Sequence, residues 1–127
     1  MESFPKTQRI HDQKLIEHLF DRGKIIRLDG MIVFWDSLSS SSTFRVMISV
    51  GKKRIRKAVN RNYIRRLYRE ALRRNKQEFI RYLETHSYCC SLIIVYTGDI
   101  PPSFPVINQK IILLLQRLQK EYEKDID

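Results

Sequence analysis

The sequence predicts an α+β fold, a single-domain two-layer sandwich in which helices pack on one sheet. Apolar residues recur at helical spacing in three segments and alternate with a period of two in others. The segments follow the order α-β-β-β-α-β-α, which gives a sheet of about four strands. The 127 residues, 43% of them hydrophobic, are enough for one core. We therefore treat 1–127 as one domain, with its core at about 8–122.

The N-terminal part is predicted to be an arm followed by a helix. Residues 1–9 have no periodic pattern and are expected to be extended. A helix is predicted over 12–22, with Asp12 as its N-cap and Gly23 at its end. The apolar positions of this helix have amphipathic spacing and are Leu15, Ile16, Leu19 and Phe20.

Three strands are predicted next. A short edge strand is expected over 24–28, and a strand over 31–35 has apolar residues on both faces. A serine-rich hairpin loop over 37–42 precedes a strand over 44–50, which has the clearest alternation in the chain. Gly51 ends that strand.

A long helix is predicted from about Val59 to about Tyr82, and the pattern leaves open a break near Asn75. At 100° per residue its apolar stripe faces the sheet. The opposite face, which we call the basic face, consists of Asn62, Arg65, Arg66, Arg69, Arg73 and Lys76. This helix therefore presents a row of guanidinium groups outward.

The C-terminal part is predicted to be a strand and a helix. Residues 88–96 are nearly all apolar, as expected for a strand covered on both faces. A proline-rich loop over 97–105 leads into a final amphipathic helix over 106–122, and residues 123–127 are expected to fray.

The positive charge of the chain is concentrated in one segment. The chain has 24 Lys and Arg and 14 Asp and Glu. Residues 52–76 contain 12 of those cations and one acid, Glu70, for a net charge of +11, whereas the remainder has a net charge of −1. Such a concentration predicts a polyanionic partner.

The sequence contains no constellation typical of an enzyme active site. No nucleophile with a base, carboxylate pair, glycine phosphate loop or metal-ligand cluster is visible. Cys89 and Cys90, the only cysteines, are interpreted as buried strand residues in a reducing compartment. No apolar run is long enough to span a membrane or to form a secretory signal, which favours a cytoplasmic protein. We expect no catalytic residue and no metal ligand in this chain.

The composition of the basic face favours structured RNA as the partner. Arginine binds phosphate bidentately and stacks on bases, whereas a lipid-binding helix would expose its apolar stripe. The basic helix follows a strand and a loop, whereas a helix-turn-helix has another short helix just before its recognition helix, which argues against DNA. Some aromatic rings could stack on unpaired bases, and each of them could instead pack in the core. The residues for which both roles are open are Phe20 on the first helix and Phe34, Trp35, Phe44 and Tyr96 on the sheet.

Two runs of sequence carry a family resemblance. The run ISVGKK at 48–53 and the run AVNRNYIRRLYRE at 58–70 resemble the signature of the bacterial ribonuclease P protein subunit. That signature is a strand ending in Ser-Val and a Lys pair, a short loop, then Ala-Val-x-Arg-Asn-x-x-(Arg/Lys)-Arg-x-x-Arg-(Glu/Gln). The order of elements extends the resemblance to about 8–122.

The resemblance implies a function. In this family the RNA partner uses bound magnesium to hydrolyse a phosphodiester bond of precursor tRNA, and this cleavage removes the 5′ leader. The protein is a cofactor whose Arg-Asn helix docks on the ribonuclease P RNA, and a cleft between the first helix and the sheet holds the leader. The resemblance also implies a left-handed β-α-β crossover, against the general right-handed rule. It also implies that the protein binds neither a membrane nor DNA and requires no protein partner.

The resemblance also assigns candidate residues. Phe20 and Phe34 correspond to the leader cleft, although Ile16 stands where an aromatic is common. The loop over 54–57 is more basic and apparently one residue longer than the family pattern. The candidates for RNA binding are Lys52, Lys53, Arg54, Arg56, Lys57, Arg61, Asn62, Arg65, Arg66, Arg69 and Arg73.

Two other hypotheses remain open on sequence alone. A structural, ribosome-associated RNA-binding protein without a role in cleavage would have the same basic helix. A small nuclease that needs no RNA would require catalytic residues that this sequence does not show. Copurification with a long structured RNA, or with ribosomal particles, separates the first hypothesis from the ribonuclease P subunit.

Overall fold

The computed structural model describes residues 5–124, which form an α+β sandwich with the predicted order of elements. No helix among these residues has both the length and the apolar character needed to cross a membrane. The helices are α1 (Gln13–Arg22), α2 (Ala58–Thr85) and α3 (Phe104–Lys124), and the strands are β1 (Lys24–Leu28), β2 (Met31–Asp36), β3 (Phe44–Val50) and β4 (Cys90–Tyr96).

The four strands form one mixed sheet in the order β1-β2-β4-β3. The pairs β1–β2 and β2–β4 are antiparallel, and β3 and β4 are parallel. Since α2 connects the two parallel strands, the predicted β-α-β crossover is confirmed, while its hand stays a prediction. This topology makes β3 an edge strand, and α2 follows it directly.

Helices α2 and α3 cover one face of the sheet and enclose the main core. Three of the aromatics whose role was open on sequence alone are buried here: Trp35, Phe44 and Tyr96. Trp35 stacks on Tyr122 of α3, with ring centroids 5.2 Å apart. Burial of a whole aromatic side chain dominates core energetics, so these three residues hold the layers together.

Helix α1 alone packs on the opposite face. Asp12 caps it, because its side chain accepts a hydrogen bond from the Lys14 amide at 3.0 Å. Gly23 ends it, where an added Cβ would lie 2.4 Å from the Leu19 carbonyl oxygen. The smaller core on this side buries Leu15, Leu19 and Ile93. Since one short helix cannot cover four strands, part of this sheet face stays open.

Helix α2 is continuous at Asn75, where the sequence pattern left open a break. Asn75 donates from Nδ2 to the Ala71 carbonyl oxygen at 2.7 Å and to Asn108 Oδ1 at 2.8 Å. The second bond joins α2 to α3, so the polar residue fastens two helices and does not end one. Helix α2 begins one residue before the predicted start and continues to Thr85.

The other boundaries differ by a few residues. The final helix begins at Phe104, with Pro105 in its first turn, where proline is tolerated, and runs through Glu123 to Lys124. The fraying predicted for these two residues is wrong, and 125–127 lie outside the described residues. Strand β4 begins at Cys90, because the Tyr88 amide donates to the Leu83 carbonyl oxygen at 2.8 Å. That bond keeps Tyr88 in the turn after α2.

The N-terminal segment is not a plain extended arm. Lys6–Gln8 form a 3-10 turn, and Arg9 then pairs with Val46 in a parallel bridge. The Ile10 amide donates to the Val46 carbonyl oxygen at 3.3 Å. Residues 5–10 therefore lie against the β3 edge, and 1–4 lie outside the described residues.

Candidate nucleic-acid interface

The basic face of α2 divides into two rows. At 100° per residue, Asn62, Arg66 and Arg73 lie within about 40° of one another and form an outer row. Arg65, Arg69 and Lys76 lie on one flank and form an inner row, beside the edge strand β3. The difference matters because an outer residue faces solvent whereas an inner residue has protein on one side.

The inner row lines a cavity at the β3 edge. Arg65, Arg69, Arg9 and the strand segment 46–48 surround a space of about 170 Å³. Burial lowers the pKa of Arg69, and the charges of Arg9 and Arg65 lower it further. The pKa shift indicates that the charges of Arg9 and Arg65 repel that of Arg69. Among residues 5–124, no carboxylate forms an ion pair with Arg9, Arg65 or Arg69.

The outer row offers one exposed arginine and one that is engaged. Arg66 is exposed and makes no hydrogen bond or ion pair within the described part of the chain. Asn62 is exposed and accepts from Arg65 at 2.9 Å. Arg73 donates to both Glu70 oxygens, at 3.1 and 2.5 Å. Arg66 is therefore available to a partner, and Arg73 already binds a carboxylate.

Arg61, a predicted RNA-binding residue, and Lys76 of the basic face both hold the protein itself together. Arg61 donates to the carbonyl oxygens of Ile55 at 2.9 Å and Arg56 at 2.7 Å. Its guanidinium thereby fixes the loop before α2. Lys76, which the helical pattern places on the basic face, is instead 5% exposed and donates to Gln8 Oε1. The prediction that Lys76 points outward is wrong, because the N-terminal segment covers that end of the inner row.

The basic loop extends the cationic surface beyond the helix. Lys52, Lys53, Arg56 and Lys57 are all exposed. Arg54 is exposed as well but donates to the Thr97 carbonyl oxygen at 2.8 Å and forms an ion pair with Asp99 at 3.3 Å. Ile55 is buried in the main core and anchors the loop. All five cations in this loop are therefore exposed on an anchored segment, and only Arg54 forms an ion pair with a described residue.

The two predicted cleft aromatics lie together on the open sheet face. Phe20 of α1 meets Phe34 of β2 edge-to-face, with ring centroids 5.0 Å apart. Phe20 is 44% exposed, and Phe34 is half-buried against the smaller core. Ile25, the cross-strand partner of Phe34, is 50% exposed. The face beside α1 therefore offers an accessible apolar strip that contains an aromatic pair.

An α1 histidine fastens one end of this face. His18 Nε2 and Asp36 Oδ2 are 2.8 Å apart, which joins α1 to the end of β2. Asp36 also accepts from the Ser37 amide at 2.7 Å. No local pattern in the sequence links His18 to Asp36, because the two residues are 18 positions apart.

Two further arginines escaped the sequence analysis. The Nε atoms of Arg9 and Arg45 are buried, and neither has a hydrogen-bond partner. Arg45 lies on the same sheet face as Phe34 and donates to Ser91 Oγ at 3.1 Å. Arg9 reaches the basic helix only because the N-terminal segment pairs with β3. The one indication in the sequence was that Arg45 is a charged residue in a strand of alternating apolar residues.

The described residues contain no ready set of metal ligands. No group of three or more His, Cys, Asp or Glu side chains is placed to hold a metal ion within 5–124. Cys90 is fully buried, and burial raises the pKa of its thiol to about 12, so it is not a reactive thiolate at neutral pH. The chemistry offered by the interface is therefore electrostatic binding and stacking.

The fold and surface together define a class of protein. A small mixed-sheet sandwich carries a cationic helix beside one sheet edge and an aromatic pair on the other face, and this distribution of charge is typical of a domain that binds a polyanion. The family model for Ribonuclease P matches residues 4–119. The chain belongs to the ribonuclease P protein family.

Comparison with relatives agrees with this membership. The chain is 29% identical over 129 residues to a ribonuclease P protein component from Chlorobium phaeobacteroides, covering 92% of this chain and 88% of the relative. It is 28% identical over 106 residues to the Porphyromonas gingivalis component, covering 82% and 77%.

Solved structures share the fold. The RNase P protein from Thermotoga maritima matches with a TM-score of 0.66 at 22% identity, over 86% of this chain and 96% of that one. The Staphylococcus aureus RNase P protein matches with a TM-score of 0.67 at 20% identity, over 87% and 94%. The predicted α+β architecture is thereby confirmed.

Proposed function

We propose that this chain is the RNA-binding subunit of a cytoplasmic ribonuclease P. It binds the catalytic RNA through the basic loop and α2, and it binds the 5′ leader of precursor tRNA along the open sheet face. In this role it assists endonucleolytic removal of the leader during tRNA maturation. The ribonuclease is the assembled holoenzyme.

The observation that carries this proposal is the set of guanidinium groups without acidic partners. Arg9, Arg65, Arg66 and Arg69 form no ion pair with any described residue, and Arg69 is partly desolvated. Clustered like charges destabilise the folded protein by themselves, and phosphate groups offset that cost. Structured RNA supplies phosphates at the spacing of a helix face.

The aromatic pair supports placing the leader on the other face. Unpaired bases stack on exposed aromatic rings, and each stacked base contributes about 1–3 kcal/mol. Phe20 is exposed and Phe34 is half-buried, and Arg45 lies on the same sheet face, two strands away from Phe34. A single strand running there would find rings for its bases and a cation for its backbone.

The bond-breaking step is assigned to the RNA. In this assignment the protein needs no metal-ligand cluster of its own, and none is found among the described residues. Magnesium would be held mainly by the RNA partner and the substrate. The protein contributes binding and orientation.

Reconstitution with the cognate ribonuclease P RNA tests the proposal. Purified protein alone is expected to leave precursor tRNA intact in magnesium, and protein plus RNA is expected to release the leader. Cleavage by the protein without RNA would overturn the assignment of catalysis. Copurification with ribosomal particles, and not with one long structured RNA, would favour the ribosome-associated alternative.

A further inference from the structure

Two exposed apolar side chains lie on the first turns of α2. Val59 is 69% exposed and Tyr63 is 45% exposed. They are four residues apart and therefore neighbours on the helix surface. Tyr63 makes no hydrogen bond or ring contact with any residue in 5–124. Single exposed apolar residues are common, but an adjacent pair with an unused ring requires an explanation.

The surroundings of this pair determine which partner fits it. Arg66 lies one turn after Tyr63 and is exposed without an internal partner, and Lys57 immediately precedes the helix. An apolar protein surface would have to desolvate these cations, at a cost. A nucleotide satisfies both requirements, since its base has an apolar π-face and its phosphate is an anion.

We propose that Tyr63, supported by Val59, stacks on an unpaired base of the RNA that docks on α2, while Arg66 binds a neighbouring phosphate. This inference rests on the proposed function and adds a base contact to a surface otherwise described by charge. The family signature leaves position 63 unspecified, so the resemblance does not assign this role. The contact fixes the register of the RNA along the helix, because a bulged or looped base must lie opposite Tyr63.

Binding of the full chain to its transcribed cognate ribonuclease P RNA, measured over a range of salt concentrations, tests the inference. Tyr63→Ala is expected to weaken binding about tenfold, with an unchanged salt slope, because no charge is removed. Tyr63→Phe keeps the ring and is expected to bind within about twofold of the original chain. Leu113→Ala, at a 47% exposed position on α3, is the matched control and should bind normally.

A fluorescent variant gives a second readout. Trp35 is buried in the main core, so Tyr63→Trp would introduce the one exposed indole among the described residues. Its emission is expected to be quenched when the RNA binds, as a stacked base requires. Thermal unfolding of each variant verifies that the fold is intact.

The outcomes separate this inference from the proposed function. Normal binding by Tyr63→Ala beside weakened binding by Arg66→Ala overturns the stacking and keeps the interface. Equal losses for Tyr63→Ala and Tyr63→Phe also overturn it, because the hydroxyl would then be the contact. Normal binding by both Tyr63→Ala and Arg66→Ala overturns the interface itself.

Discussion

The arginines of α2 differ in what they already bind. Arg61 donates to loop carbonyl oxygens, and Arg73 donates to Glu70. Arg65 and Arg69 have no carboxylate partner among the described residues and line the cavity beside β3. A guanidinium that is already satisfied gains less from a phosphate, so the interface depends most on the arginines without acidic partners.

Substitution of those residues gives the first prediction. Arg65→Ala and Arg69→Ala are each expected to weaken RNA binding and to reduce the salt slope by about one, since each removes one phosphate contact. Filter binding at several salt concentrations measures this slope. Arg117→Ala, which removes an exposed arginine of α3 paired with Glu121, is the control. Unchanged slopes for both variants would remove these residues from the interface.

The aromatic pair gives the second prediction. Phe20→Ala and Phe34→Ala are each expected to lower the affinity of the reconstituted holoenzyme for precursor tRNA, by about the 1–3 kcal/mol of one stacked base. Affinity for mature tRNA should stay the same, because it has no leader. Ile100→Ala, at a 73% exposed loop position, serves as the control.

The two variants of the pair also differ in stability. Phe34 is half-buried in the smaller core, so Phe34→Ala should unfold earlier than Phe20→Ala. If Phe34→Ala unfolds earlier but binds precursor tRNA normally, Phe34 belongs to the core alone.

At the scale of elements, α2 combines three tasks along 28 residues. The N-terminal half of α2 presents arginine side chains and Tyr63 at the surface, and its apolar stripe packs on the sheet. Its middle is stabilised by Glu70, which binds Arg73 and also accepts from Arg74 Nε at 3.0 Å. Glu70 reduces the repulsion between Arg73, Arg74 and the neighbouring arginines, so the helix can hold a high positive charge.

The pH dependence of stability should show the role of Glu70. Hydrogen bonds from Arg73 and Arg74 lower the pKa of Glu70 from 4.5 to about 2. A carboxyl with a lowered pKa stabilises the fold above its ordinary pKa, and that contribution is lost as the pH falls toward the folded value. Glu70→Gln is therefore expected to be less stable than the original chain at pH 7, with the difference shrinking below about pH 4.5.

Denaturant unfolding at a series of pH values measures this difference. Glu84→Gln changes an exposed acid near the end of the same helix and serves as the control. An equal difference between Glu70→Gln and the original chain at pH 3 and at pH 7 would contradict the prediction.

At the scale of the whole molecule, the sheet separates two surfaces of different chemistry. One face is sealed by α2 and α3, and α2 places its cations beside the β3 edge. The other face is only partly covered by α1 and keeps its aromatic strip accessible. The sheet thus holds the catalytic-RNA surface and the leader surface of the proposed function in a fixed relation.

Tyr122 joins the layers on the sealed face. It is 3% exposed, stacks on Trp35 of β2, meets Phe79 of α2 edge-to-face, and donates to the Cys89 carbonyl oxygen at 2.5 Å. Tyr122→Ala is expected to cost about 3–5 kcal/mol, as for other buried aromatics. Tyr122→Phe should cost about 1 kcal/mol, because only the hydrogen bond is lost.

Denaturant unfolding measures both values, and Tyr63→Ala, at an exposed position, is the matched control. A cost below about 1 kcal/mol for Tyr122→Ala would show that α3 is not fastened through this residue.

The sequence predicted most of the fold because its periodicities are local. The period of two in 44–50 and the helical spacing in 12–22 reproduce β3 and α1 closely. The sequence left open a break near Asn75, and the structure shows none, because a side chain on α3 satisfies that asparagine. The prediction that Lys76 points outward was wrong for a related reason, since its partner Gln8 is 68 residues away along the chain.

The sequence by itself determined where the charge lies, which faces are apolar and which family signature is present, because these depend on residue type and short spacing. Only the tertiary structure decided which arginines remain without acidic partners and which aromatics are accessible. It also decided that Arg9 lies beside the basic face of α2. Those properties depend on contacts between distant segments. A helical period shows the direction of a side chain but does not identify the group that lies there.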